Sequence, residues 1–209
     1  MKTLTVIDNF SKHAHLIRHL ALQQPVREAD YLGHKYPGVI CDPEFEAMLL
    51  DHLGPLICNK GGFQTIYPVL SFFRLGVAGH KPQIYIHADN AMGAEYNAVF
   101  CLNPPESCHG GTAFWTHQET GWTRLPPKAG VEAAGFTMDQ GFCDRMNLEG
   151  SDESFWEMNG LVSMAWNRMI IFPSDLWHSR YPKDYTGQTP QTGRLVWVCF
   201  FNTSPPAAK

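Results

Sequence analysis

From about residue 65 onward the chain is written in short aromatic and β-branched runs: "TIYPVLSFFRLG", "QIYIHAD", "YNAVFCLN", "GGTAFWTH", "WNRMIIFP" and "RLVWVCFFN". Clusters of Gly, Pro and Asn separate them. Short strands bounded by turn residues in this way pack as an all-β sandwich or barrel. Aromatic residues, 12% of the chain, supply bulk for pleated surfaces and for the lining of a cavity.

The chain before residue 65 reads differently. "LTVID" alternates like a first strand. "SKHAHLIRHLALQQ" follows as a helix, with Leu16 and Leu20 at helical spacing and Ser11 as its N-cap. "DPEFEAMLLDHLGPL" is a second helix: Asp42 caps it, Pro43 takes the first helical position and Gly54-Pro55 stops it. The expectation is one domain of 209 residues, with helical support over about 1–64 and a β core over about 65–202. Residues 124–150 read as a long insertion with one short helix, and 182–193 as a polar loop. A loop of that length between strands is expected to be functional or mobile.

Composition excludes several function classes. The formal net charge is -4 and basic residues do not cluster, so no nucleic-acid partner is expected. No apolar run approaches a membrane span, so no membrane association is expected either. "MKTLTVIDNF" breaks at Asp8-Asn9, too early for a signal peptide. The six cysteines (Cys41, Cys58, Cys101, Cys108, Cys143 and Cys199) are scattered without a CxxC pair, which suits reduced thiols in a cytoplasmic protein.

The chemistry-bearing residues stand inside the apolar runs. In "YIHAD", His87 and Asp89 are two apart, and in a strand such residues share a face. A buried carboxylate beside an imidazole is costly unless something binds it. "IIFPSDLWHSRYP" then supplies His178 at the end of an apolar strand, with Trp177 as a pocket wall beside it. Arg194 opens "RLVWVCFF", an otherwise uncharged strand, where an arginine calls for a carboxylate partner. Two histidines and one carboxylate on one face of a metal leave positions open, the arrangement of non-heme Fe(II) oxygenases. An arginine beside them suits the far carboxylate of a co-substrate, bound bidentately. Two readings from other classes use the same residues: a cupin-like module that holds a metal or small ligand without turnover, and a zinc hydrolase. The first has no need of Arg194, and the second needs a separate general base. Elsewhere His15 and His19, an i, i+4 pair, read as solvated helix residues.

The order HxD, distal His, then a basic residue on the last core strand resembles the 2-oxoglutarate/Fe(II)-dependent dioxygenases. The segments "VIDNF", "VFCLNPPESCHGGTAFWTH" and "NRMIIFPSDLWHSRYP" look most like their prolyl-4-hydroxylase-like branch, and closest to a group of short, uncharacterised bacterial proteins within it. The resemblance covers roughly residues 4–10 and 70–202. It implies a mainly β fold, the double-stranded β-helix or jelly roll, flanked by N-terminal helices. It implies Fe(II) on His87, Asp89 and His178 as the catalytic and metal residues, and 2-oxoglutarate held through Arg194. With O2 as the third reactant, it implies hydroxylation of a small-molecule or peptide substrate, with succinate and CO2 as co-products. The chain departs from the family in two places. Val196 and Val198 stand where many members have a hydroxyl residue after the arginine, and Phe100 where the strand after HxD offers a tyrosine. Tyr85, on the face of His87 by alternation, and Tyr96, from the next strand, are the candidates to supply the missing polar contacts to the co-substrate.

Overall fold

The structure, a computed structural model, describes residues 4–31, 34–80, 84–89 and 93–205. Its elements in chain order are β1 (Thr5–Ile7), α1 (Ala14–Gln23), β2 (Arg27–Tyr31), β3 (His34–Ile40), α2 (Pro43–Gly61), β4 (Tyr67–Gly76), β5 (Tyr96–Cys101), β6 (Gly111–His117), α3 (Lys128–Ala133), α4 (Gln140–Glu149), β7 (Trp156–Ser163), β8 (Met169–Pro173), β9 (His178–Tyr181) and β10 (Arg194–Asn202). The strands form two antiparallel sheets, one in the order β1-β8-β5-β10-β4-β3-β2 and one in the order β7-β6-β9. This is the jelly roll that the family resemblance implies, within the sandwich-or-barrel class read from the strand-rich half of the chain.

Both faces of the central strands β8, β5 and β10 of the large sheet are covered, which explains why they read as continuous apolar runs rather than alternating ones. On β5, Ala98 and Phe100 face one way and pack with Phe10, Ile17, Leu49, Leu53 and Ile57. Val99 and Cys101 face the other way, into the space between the sheets, with Phe114, Ile170, Phe172 and Val196. The first group makes α1, α2 and the large sheet one continuous core. A buried carboxylate is built into it: Glu46 Oε2 accepts from Ser71 Oγ at 2.6 Å and Trp197 Nε1 at 2.9 Å. Burial is the largest influence on Glu46 and pushes its pKa up, outweighing those two hydrogen bonds.

Several local expectations are corrected. Helix α1 begins at Ala14, with His13 in the cap position; Ser11 instead turns its hydroxyl to the His13 N–H at 3.2 Å. Its buried stripe is Ala14, Ile17 and Ala21, and Leu16 is 53% exposed. Helix α2 is capped by Asp42, whose side chain accepts from Phe45 N at 2.9 Å, but it runs through Gly54-Pro55 to Gly61. A proline inside a helix costs about 3 kcal/mol. The stripe Phe45, Leu49, Leu53 and Ile57 is buried on both sides of Pro55. At roughly 1.5–3 kcal/mol per buried side chain, that stripe outweighs the proline. The helix ends where Gly62 adopts φ 78°, a left-handed cap that glycine takes at little cost. Asp42→Ala is expected to lower stability by about 1 kcal/mol in urea unfolding, the usual worth of an N-cap; an unchanged midpoint would contradict the cap.

The region before residue 65 also contributes strands β1, β2 and β3 to the large sheet. The β2–β3 hairpin is a polar edge with Pro37 and a register irregularity at Arg27/Glu28, so it carries no alternation to read. The 124–150 insertion folds as two helices, α3 and α4, rather than one. Among the described residues no helix is long and apolar enough to cross a membrane.

Candidate metal centre

The segment around His87 is not the strand that its alternation predicts; within 84–89 only an isolated bridge forms, between His87 and His178. The two backbones exchange hydrogen bonds, His87 N to His178 O at 3.0 Å and His178 N to His87 O at 2.9 Å. Directly opposed residues of an antiparallel pair share a face. The bridge, rather than i, i+2 alternation, therefore brings the two imidazoles to ring centroids 4.6 Å apart. Asp89 is anchored separately, its N–H donating to Ser174 O at 2.7 Å at the end of β8. One ligand atom from each of His87, Asp89 and His178 then lies within 4.8 Å of the others. Asp89 Oδ2 is 3.1 Å from His178 Nε2, and Oδ1 is 3.6 Å from His87 Nε2.

The surroundings orient all three. His87 Nδ1 is 3.0 Å from Tyr85 O, and His178 Nδ1 is 2.9 Å from Leu176 O. A carbonyl only accepts, so each Nδ1 carries a proton and each Nε2 is left to bind at the centre. Asn97 Nδ2 donates to Asp89 Oδ2 at 2.7 Å and holds the carboxylate rotamer. Asn97 is a contributor that pattern reading missed. Its one signal was a buried polar residue at the head of an apolar strand.

The charges are coupled. Burial is the largest influence on His178 and would lower its pKa, but the Asp89 charge and hydrogen bond outweigh it and raise it. Burial would raise Asp89, but the two imidazoles and the bonds from His178 and Asn97 hold it below the usual carboxylate value. Burial dominates at His87 and lowers it, with His178 and Arg74 reinforcing that against Asp89. Without a cation His178 therefore keeps its proton, facing the Asp89 carboxylate, to higher pH than a free histidine does. A divalent cation replaces that proton, so its affinity should rise with pH by about tenfold per unit until the raised His178 pKa is passed, then level off. The contribution of His178 to the stability of the metal-free fold runs the other way, while the lowered pKa of His87 acts with the opposite sign. A histidine with a raised folded-state pKa contributes fully below its unfolded pKa, and the contribution fades as pH rises through the folded one. Mn(II) titration calorimetry across pH tests this; affinity flat over the histidine range would contradict it.

The remaining sequence candidates divide. Arg194, Val196 and Val198 alternate onto one face of β10, and Val196 packs among the residues between the sheets. Arg194 therefore enters the jelly-roll interior, where its Nε is buried with no hydrogen-bond partner. Asn103 pins that strand end: its Oδ1 accepts from Leu195 N at 2.7 Å and its Nδ2 donates to Gly193 O at 2.8 Å. Tyr85 packs in the cluster of Trp115, Trp156 and Trp177; its ring meets Trp115 and lies 5.5 Å from the Arg180 guanidinium. Tyr96 is not brought to the site. It stacks on Phe201 and meets Phe63 on the helix-covered face, bordering a surface hollow with Thr5 and Gln64. Phe100 faces that side too, against Phe10, so a tyrosine there would not reach the interior. Trp177 packs on Trp156 in a separate core rather than walling the site. His15 lies on Trp166, and His19 meets Gln23.

The 182–193 segment is tied down. Gly187 O accepts from Ala78 N at 2.7 Å, Lys183 Nζ donates to Ser151 O at 2.7 Å, and Arg18 Nη2 donates to Gln191 O at 2.6 Å. Tyr185 is seated against Gly76, where an added Cβ would come within 2.1 Å of its ring. Gly76→Ala should unseat Tyr185 while leaving the sheet intact. Limited proteolysis would then cut within 182–193 faster than in the parent, and an unchanged pattern would contradict the packing.

A family model described as "Family of unknown function (DUF6445)" matches residues 1–201. The chain belongs to the DUF6445 family. No curated protein sequence matches this DUF6445 chain. Among solved structures it is similar to AviO1 from Streptomyces viridochromogenes Tue57, at TM-score 0.57 and 13% identity over 100% of this chain and 92% of that one. It is similar to an oxidoreductase of the 2OG-Fe(II) oxygenase family from Burkholderia pseudomallei, at TM-score 0.56 and 13% identity over 96% and 86%. It is also similar to the epimerase SnoN in complex with Fe3+, alpha ketoglutarate and nogalamycin RO, at TM-score 0.54 and 12% identity over 96% and 78%. At these identities the likeness is one of fold, and the fold of the DUF6445 chain is that of the 2-oxoglutarate/Fe(II) oxygenases.

Proposed function

We propose that the protein is a non-heme Fe(II)- and 2-oxoglutarate-dependent oxygenase. The observation that carries this is the convergence of His87, Asp89 and His178 within 4.8 Å, with both Nδ1 atoms already committed to carbonyls. The donor set of two neutral nitrogens and one carboxylate suits Fe(II) and leaves positions open. His87 Nε2, His178 Nε2 and an Asp89 oxygen would hold the ion, and the Arg194 guanidinium would take the far carboxylate of 2-oxoglutarate. When bound, that ion with 2-oxoglutarate and O2 supplies an oxidant for a C–H bond, giving succinate and CO2 as co-products.

The chain's own part is positioning and exclusion of water. Asn97 fixes the Asp89 carboxylate and Asn103 fixes the strand end that bears Arg194. Val196 and Val198 would give a bound co-substrate an apolar wall instead of a hydroxyl contact. The 182–193 segment, rooted between His178 and Arg194, closes the same end of the jelly roll. Hydroxylation of an amino acid, a peptidyl residue or a small metabolite is the outcome that fits the three-ligand set. The buried, unpartnered Arg194 nitrogen favours this reading over a cupin-like module that only holds a ligand. The test is succinate release from 2-oxoglutarate by the Fe(II)-loaded protein across a panel of acids, amines and peptides. Stimulation by a substrate supports the reading, and metal-dependent binding without succinate from any of them would favour the binding module.

A further inference from the structure

Arg194 is not the only arginine in the jelly-roll interior. Arg180 lies two residues after His178 on β9 and so shares its face, paired with Thr112 of β6. Arg74 of β4 is paired with Val196 of β10 and shares the face of that interior residue. Arg194 and Arg74 share one face of neighbouring strands, Arg194 opposite Gly76 and Arg74 opposite Val196, and Arg180 enters the same interior from the facing sheet. Among the described residues no carboxylate pairs with any of the three. Arg180 Nε and Nη2, like Arg194 Nε, are buried without a hydrogen-bond partner. What surrounds Arg180 is aromatic: its guanidinium lies 4.1 Å from the Tyr185 ring centroid and 5.5 Å from that of Tyr85, while Arg74 lies 5.4 Å from Tyr36. Rings hold a guanidinium by its flat face and leave its N–H edge to a ligand.

Three like charges gathered in a poorly hydrated space destabilise the fold unless an anion joins them. The proposed co-substrate does not suffice. A ferrous ion and three arginines bring five positive charges, against one from Asp89 and two from 2-oxoglutarate. We propose that Arg180 and Arg74 form a second anion subsite, distinct from that of Arg194, which binds a carboxylate or phosphate group of the prime substrate. The inference rests on the oxygenase reading and narrows its substrate class to acidic small molecules. Arg180, two residues beyond a metal ligand, would set the distance between the substrate's anionic group and the position that is oxidised. Tyr185, from the anchored 182–193 segment, covers one flat face of the Arg180 guanidinium.

The test uses the full-length protein loaded with Mn(II), which does not turn over, and saturated with 2-oxoglutarate. Calorimetry then titrates N-acetylglycine as the carboxylate probe and inorganic phosphate as the other. One probe is expected to bind at one site per chain without displacing 2-oxoglutarate, and the better of the two identifies the group. Arg180→Gln and Arg74→Gln should each weaken it by about tenfold or more, the usual cost of losing a charged hydrogen bond. Arg180→Lys should recover part of the loss, as a purely packing role would not. The 2-oxoglutarate affinity of these variants, measured without probe, should stay near the parent's, whereas Arg194→Met should lose it. Circular dichroism checks that each variant is folded, and Arg180→Lys serves if Arg180→Gln is not. Absence of saturable binding of both probes, displacement of 2-oxoglutarate by the probe, or equal probe affinity in Arg180→Gln and Arg74→Gln would each overturn the subsite. Failure of the parent to bind 2-oxoglutarate would instead refute the oxygenase reading, and phosphate titration of the metal-free protein would still decide the subsite.

Discussion

Asp89→Ala is expected to lose Fe(II) affinity by well over 100-fold while the protein stays folded. Changes that only disturb the orientation of a metal ligand already cost 10–100-fold, so removal of a ligand should exceed that range. The reason is specific to the geometry. Asp89 is the only carboxylate among the three clustered ligands, and it neutralises a centre that also contains two imidazoles. Without it, Fe(II) would meet two nitrogens and a neighbouring Arg74 charge. His87→Ala and His178→Ala should behave alike, with His178→Ala also breaking the 3.1 Å contact to Asp89. Metal content after desalting, read with circular dichroism, checks all three. Normal iron content in a folded Asp89→Ala protein would remove the basis of the metal assignment.

Arg194→Met is expected to keep Fe(II) and lose 2-oxoglutarate. Removing one partner of a buried charge pair costs roughly 2–5 kcal/mol, or about 30-fold to several thousand-fold in affinity. Arg194→Lys should fall between, because the two-pronged geometry of the guanidinium is lost while the charge remains. The Asn103 bonds to Gly193 O and Leu195 N hold the strand on either side, so neither change should shift the backbone. Calorimetric titration of 2-oxoglutarate into the metal-loaded variants is the measurement. Affinity equal to the parent's in Arg194→Met would turn the reading toward a binding module.

The strands were legible where both faces are buried, because a continuous apolar run such as "AVFC" needs no alternation to be recognised. The β2–β3 hairpin was not legible, since an edge strand of Arg, Glu and Asp buries too little to leave a pattern. Helix α2 was read about two turns short because Pro55 is a local signal, whereas the Leu53 and Ile57 packing that overrides it is tertiary. At the metal centre the identities of His87, Asp89 and His178 were readable but not the reason for their meeting. The sequence pattern suggested alternation within one strand; the molecule uses a bridge between two segments and a backbone anchor at Ser174. Tyr96 failed for a related reason. One residue of offset on a strand reverses the face, and Asn97, its neighbour, is the one that points inward. Arg180 and Arg74 were invisible as a group because three distant segments bring them together with Arg194.

Anaerobic addition of 2-oxoglutarate to the Fe(II)-loaded protein, followed by visible absorbance, tests the central claim most directly. A weak, broad charge-transfer band should develop only when both are present. It should be absent in His178→Ala and require far more 2-oxoglutarate in Arg194→Met. Uptake of Fe(II) without that band, or a band that persists in His178→Ala, would contradict a centre built on His87, Asp89 and His178 with its co-substrate on Arg194.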